Sequence, residues 1–223
     1  MLHRQAIPSF LAMREAARGE GIDLQAASSF RDFDRQVAIW NGKYLGERPL
    51  LDRTGRTLSA VDLSPEERVE TILLWSALPG ASRHHWGTDF DVFDAAAMPD
   101  RSQLQLMTEK YASDGPFARL TAWLDTHMHR FGFFRPYVDP GDGTISGGVS
   151  PEPWHLSFAP LSTHFLNQLT VAVLSRAIAS SSIEGREIVM ARIDELHRRF
   201  VANVATTPAA LLAMELGDHG RMV

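Results

Sequence analysis

Apolar residues recur at helical spacing over residues 8–19, where Phe10, Leu11, Met13 and Ala17 share one side and Gly19 stands near the stop. Ile22 to Phe30 reads as a strand leading to Arg31. A second helix is predicted from about Asp32, with Phe33, Val37 and Trp40 as its apolar stripe and Asn41-Gly42 closing it. Residues 43–63 keep no lasting period, and Asp52-Arg53-Thr54-Gly55-Arg56 among them looks like a turn or small hairpin. Ser64 then offers a cap, Pro65 suits a first turn and Glu67 completes a capping box. The third helix starts there, with Val69, Ile72, Leu73 and Ser76 on one face and Pro79-Gly80 as its end.

The period changes to two over Thr88-Asp89-Phe90-Asp91-Val92-Phe93, a short strand that turns Asp89 and Asp91 to one face and Phe90 and Val92 to the core. A helix begins near Pro116 with Phe117, Leu120, Leu124, Met128 and Phe131 as its stripe. His127, His129 and Arg130 fall in its last turn, and Gly132 stops it. Val138 to Pro151 is rich in Gly, Pro, Ser and Asp and reads as a loop forming one rim of a site, followed by strand-like Trp154-His155-Leu156-Ser157-Phe158. Residues 161–180 and 184–203 read as two helices, and Thr207-Pro208 opens a short third. Helices and short strands without β-α-β alternation imply an α+β domain with a small, mainly antiparallel sheet and flanking helices. The division expected is a domain over residues 1–160 and a C-terminal helical extension over 161–223 packed on it.

Composition narrows the chemistry. With 223 residues and 44% hydrophobic content the chain can bury one substantial core. A net charge of −5 without a Lys/Arg cluster gives no basis for a nucleic-acid partner. No run of apolar residues is long enough to span a membrane, and Met1 to Pro8 lacks a signal peptide's apolar stretch, so the sequence as written reads as cytoplasmic. A removed leader would make it periplasmic. The absence of Cys leaves His and carboxylates as the available metal ligands. No pattern assigns an oligomeric state.

Two stretches supply such ligands: Ser82-Arg83-His84-His85-Trp86-Gly87-Thr88-Asp89-Phe90-Asp91 and, much later, Glu152-Pro153-Trp154-His155. His84, Asp91 and His155 make the three-ligand set of a catalytic zinc site with one open position, and Glu152 is the candidate general base. Gly87 lets the chain turn between His84 and the strand. Glu152, three residues before His155, is near enough to meet a metal-bound water without binding the metal.

The pattern Ser-x-His-x-x-Gly-x-x-x-Asp followed by Glu-x-x-His resembles the VanY-type D-alanyl-D-alanine carboxypeptidases, zinc peptidases related to VanX-like dipeptidases. A further element of that family, an Arg after an aromatic followed by a Gln, is matched by Phe30-Arg31 and Gln36. The resemblance runs over roughly residues 28–158 and implies the same α+β architecture. It selects His84 over His85, which becomes a neighbour lining the cleft, because only His84 has the family's interval to Gly87 and Asp91. Arg31 is implied to contact the substrate, at its terminal carboxylate or at the oxyanion; the reading adopted is the carboxylate, against a plain salt bridge to Asp34 or a similar neighbour. Ser82 is expected near the substrate backbone, and Gln36, which matches the family's Gln, is counted among the substrate-binding residues. Asp89 departs from the family's usual Ala. It is read either as a strand residue paired with Arg83 or another surface cation, or as a group supporting the metal or meeting a cation on the substrate.

The implied function is zinc-dependent release of a C-terminal D-alanine from a peptidoglycan peptide. The alternatives are an endopeptidase on the same scaffold and a non-catalytic zinc module of the Hedgehog kind, with Glu152 favouring an enzyme.

Overall fold

The strands are Leu24–Ser28 (β1), Leu50–Leu51 (β2), Thr57–Leu58 (β3), Asp89–Asp94 (β4), Phe133–Phe134 (β5) and His155–Phe158 (β6). In this computed structural model, which describes residues 1–98, 100–139 and 147–212, four of them form one antiparallel sheet in the order β1-β4-β6-β5. β2 and β3 pair around Asp52–Arg56 as the small hairpin expected there. The fold is therefore the α+β arrangement read from the sequence.

β4 is the strand on which the others are set. Phe90 and Val92 enter a core with Leu156 and Phe158 of β6, while Asp89 and Asp91 take the opposite face. Asp91 stands across from His155, and Asp89 from Ser157. On the other side Ser28 of β1 reaches Asp91 because the register shifts between Ala26 and Ser28, a bulge that re-aims the end of the strand.

Helices close the apolar face of the sheet. Ile7–Gly19 (α1) buries Met13 and Ala17 in that core, whereas Leu11, expected on the same side, is 53% exposed. Phe33–Tyr44 (α2) continues past Asn41-Gly42, which does not close it: Arg48 packs against Gly42, and the Asn41 side chain donates to Ser182 O and accepts from Glu184 N. Pro65–Leu73 (α3) begins with the capping box of Ser64 and Glu67, which satisfies two N-terminal N–H groups reciprocally. A single helical turn at Thr108–Tyr111 (α4) precedes Ala118–His127 (α5), which tightens into a 310 turn and ends at Gly132 in the left-handed conformation, φ 82°.

The helix expected over 161–180 is two helices, Ala159–Gln168 (α6) and Val171–Ala179 (α7). Thr170 accepts from Val173 N and caps the second, a break that the continuous apolar period conceals. Residues 184–203 divide as Arg186–Ala191 (α8), Ile193–Leu196 (α9) and a π turn over His197–Val201, because Arg192 leaves helical geometry at φ −118°. Ala209–Leu212 (α10) is the short third helix, and 213–223 lie outside the described residues, as does the 140–146 part of the expected rim loop.

A second core joins Trp40 and Tyr44 of α2 and Val69, Ile72 and Leu73 of α3 to Leu174, Ile178, Val189, Ile193 and Leu196 of α7–α9. The Trp40 indole donates to Glu184 O, and Glu70 of α3 pairs with Arg192 and Arg199. The C-terminal helices thus hold the outer side of α2. No helix among the described residues is long and apolar enough to cross a membrane.

Candidate metal centre

His84 sits in a 310 turn over Arg83–Trp86 that ends at Gly87, φ 66°. A Cβ at Gly87 would come within 3.0 Å of His3 N, so the turn that leads His84 into β4 needs a glycine on both steric and conformational grounds. Glu152 and His155 occupy one tight turn, closed by His155 N donating to Glu152 O at 3.0 Å.

The sheet register and these turns bring His84, Asp91 and His155 together, all buried, with one ligand atom from each within 4.8 Å of the others. His84 Nδ1 stands 3.0 Å from Ser29 O. A carbonyl only accepts, so Nδ1 carries the proton and Nε2 keeps the lone pair, facing Asp91 Oδ2 at 3.6 Å. Burial pushes His84 down to about 4, which leaves the imidazole neutral, the form that binds metals. Burial favours the acid form of Asp91, but His84, His155 and the Ser28 hydroxyl at 2.6 Å outweigh it and hold its pKa at about 2.

His155 is oriented from its far side, where Nε2 donates to Asp89 Oδ1 at 3.1 Å. Its Nδ1 lies 3.3 Å from Asp91 Oδ1 and 3.3 Å from Glu152 Oε2. Neither approach has hydrogen-bond geometry: Asp91 Oδ1 and His155 Nδ1 are both buried without a partner. Orphaned polar atoms that converge on a shared point, instead of aiming at one another, are what a missing cation leaves behind, and the donor set suits zinc. Burial opposes charge on His155, yet the surrounding Asp89, Asp91 and Glu152 carboxylates hold its pKa well above the imidazole norm, so a proton stands where the cation would.

Three residues expected at the substrate or on the cleft wall take other partners in the structure. Asp89, 0% exposed, keeps two of the readings made for it, the pairing with Arg83 and the support of the metal site, and not the substrate contact: its oxygens are taken by Arg83 Nε at 2.7 Å, Thr88 Oγ1 at 2.7 Å and His155. Burial raises its pKa, but Arg83 and His155 lower it further, so it remains a carboxylate. Gln36, 0% exposed, does not reach the cleft either; its amide accepts from Arg31 Nη1 at 2.9 Å and donates to Ala77 O at 2.7 Å, which fixes Arg31. His85 ties rather than lines: Nδ1 is 2.6 Å from Arg31 O, and Nε2 accepts from Gly80 N at 3.1 Å.

Arg31 and Ser82 do line the cleft beside the ligands, in a cavity of about 300 Å³ that also holds Glu152. Arg31 makes no salt bridge to Asp34; among the described residues its guanidinium bonds only Gln36. Glu152 is 9% exposed, and burial raises its pKa above the carboxylate norm against the pull of His155. Trp154 stacks on Trp75, ring centroids 6.4 Å apart, and Tyr137 meets the His155 ring edge-on at 5.1 Å. Trp75, Tyr137, Ile39 and Lys43 complete the walls without having been singled out in the sequence. Only helical phase could have found the last two: both fall on the face of α2 that carries Gln36.

Comparison with known proteins agrees with this geometry. The profile of the VanY family, D-alanyl-D-alanine carboxypeptidase, matches residues 1–161. A protein of Haemophilus influenzae is 46% identical over 77 residues, 34% of this chain and 53% of that one. A D-alanyl-D-alanine carboxypeptidase of Enterococcus faecalis is 29% identical over 144 residues, 65% of this chain and 43% of the relative. The chain thus spans about half the length of these two relatives. Among solved structures, a mutant of the vancomycin-resistance D,D-pentapeptidase VanY in complex with Zn(II) superposes with a TM-score of 0.50 at 26% identity, covering 74% of this chain and 77% of that one. With the family profile matched from the first residue through β6 and the cluster of His84, Asp91 and His155 in place, this chain belongs to the VanY family of D-alanyl-D-alanine carboxypeptidases.

Proposed function

We propose that the protein is a zinc carboxypeptidase that hydrolyses the terminal D-Ala-D-Ala type bond of peptidoglycan peptides, with His84, Asp91 and His155 as ligands and Glu152 as base. The observation that carries this reading is the placement of Glu152 against a three-ligand cluster in a cleft that also holds Arg31, which has no ion pair among the described residues. The Zn(II) in the related VanY structure supports the choice of metal. Bound there, zinc supplies a Lewis acid that lowers the pKa of a water towards ~7 and polarises the scissile carbonyl.

The chain's own groups do the rest. Glu152, whose raised pKa brings it nearer the working range of a base, takes the proton of the attacking water and returns it to the leaving amine. Arg31, held by Gln36, offers two parallel hydrogen bonds to the substrate's terminal carboxylate. Ser82, on the cleft wall, serves the substrate backbone. Helices α7–α9 of the C-terminal extension brace α2, and through it the Gln36–Arg31 pair.

The test compares a substrate ending in a free carboxylate with its C-terminal amide. The wild type is expected to cleave the amide poorly, and Arg31→Ala to be slow on the acid with a much smaller preference between the two. Equal cleavage of both by the wild type would replace this reading with the endopeptidase.

Asp89 acts as a positioning residue in this scheme. A carboxylate on the outer nitrogen of a metal-bound imidazole fixes its tautomer and raises its basicity. Asp89→Asn is expected to weaken zinc binding about 10–100-fold, measured by competition with a chromophoric chelator. Unchanged zinc affinity would reduce Asp89 to a counter-charge for Arg83.

A further inference from the structure

Gln36, Ile39 and Lys43 fall at i, i+3 and i+7 along α2, on one face of the helix. Lys43 lines the cleft, and its ammonium donates to Ser76 Oγ at 2.7 Å. Gln36 is bonded at 2.7 Å to the carbonyl of the next residue, Ala77, and grips Arg31 at 2.9 Å. The two cations are therefore held over adjacent residues of one cleft wall. Among the described residues neither has a carboxylate within ion-pairing distance, in contrast to Arg83 of the same cleft, which is paired with Asp89. With a divalent ion in place, Asp89, Asp91 and Glu152 are balanced by Arg83 and the ion. Arg31 and Lys43 then remain as two uncompensated positive charges facing the same space.

We infer that Lys43 is a second specificity-determining residue, which binds the substrate's C-terminal carboxylate together with Arg31. An ammonium has three donors, and the Ser76 bond uses one. A carboxylate presents about four lone-pair sites, enough to take the fork of Arg31 and a point charge beside it. Burial, reinforced by the neighbouring Arg31, pushes the Lys43 pKa down to about 8 against the pull of Glu152, the condition of a desolvated cation awaiting an anion. The inference rests on the carboxypeptidase reading and assigns that reading's key contact to one further residue.

The experiment measures kcat/KM on the free-acid and amide forms of one acyl-D-Ala-D-Ala substrate for the zinc-loaded wild type, Lys43→Met and Lys43→Arg. Lys43→Met keeps the apolar stem and removes the charge. It is expected to lose about 10–100-fold on the acid, chiefly through KM, with the amide rate little changed, while Lys43→Arg recovers most of the loss. Lys43→Gln, which keeps a donor for Ser76 without the charge, is measured alongside, so that a folding defect in one variant does not decide the result. Equal losses on acid and amide would overturn the inference and leave Lys43 as a counter-charge for Glu152. No loss on either would overturn it as well. A wild type indifferent to the carboxylate would overturn both this inference and the carboxypeptidase reading. A wild type that discriminates, with the same ratio in Lys43→Met, would overturn the assignment of Lys43 alone.

Discussion

Glu152→Ala is expected to retain zinc and its fold while losing turnover by roughly 10²–10⁴-fold, the usual contribution of a positioned general base. The separation follows from where the carboxylate stands. Its Oε2 is 3.3 Å from His155 Nδ1, beside the ligand cluster instead of within it, since the convergent atoms come from His84, Asp91 and His155. The backbone of Glu152 is fixed independently of its side chain, with its N–H donating to Tyr137 O at 3.1 Å and its carbonyl accepting from His155 N. Truncation at Cβ thus leaves the turn that presents His155 intact. The measurements are zinc per chain after dialysis, the thermal midpoint and kcat on a D-Ala-D-Ala peptide. Loss of metal would make Glu152 a ligand and displace one of the three. Near-normal turnover would end the catalytic reading.

What the sequence made legible, and what it concealed, follows from the range over which each signal acts. The ligand set was readable because β4 alternates strictly, which turns Asp91 away from Phe90 and Val92, and because a glycine at positive φ sits between that strand and His84. Capping of α3 was equally local, a matter of Ser64 and Glu67 three residues apart. Partners distant in sequence were not readable. Gln36 looked like a substrate residue until its two bonds, to Arg31 and across 41 positions to Ala77, filled its amide. Asp89 was placed on the correct face and its pairing with Arg83 was read, but only its depth in the sheet decides that it supports His155 and does not meet the substrate. Lys43 and Trp75 join the cleft only because α2 and the segment after α3 pack side by side, bonded through Ser76 and Ala77. At the C-terminal end, unbroken apolar periodicity hid the cap at Thr170, since a threonine is compatible with both a helix interior and its start.

His155→Ala is expected to abolish stoichiometric zinc binding. Three protein ligands leave one position for water; two leave the ion to compete with solvent at half its sites. The loss should exceed the 10–100-fold typical of an outer-shell partner such as Asp89, because an inner ligand disappears and its orienting carboxylate is left without a purpose. The geometry adds a second consequence. The His155 ring stands among Asp89, Asp91 and Glu152, at 3.1, 3.3 and 3.3 Å, and in the metal-free protein its raised pKa makes it their shared counter-charge. Removing it leaves Asp91 with His84 alone and Glu152 with no cation at ion-pairing distance among the described residues. Uncompensated buried carboxylates are costly, so the variant should also unfold at a lower temperature than the metal-free wild type. Metal content after dialysis and melting of both apo proteins check the two halves separately. Full zinc occupancy in the variant would overturn the ligand assignment. Lost zinc with an unchanged apo melting temperature would keep His155 as a ligand and show that the three carboxylates are relieved without it, by taking up protons of their own.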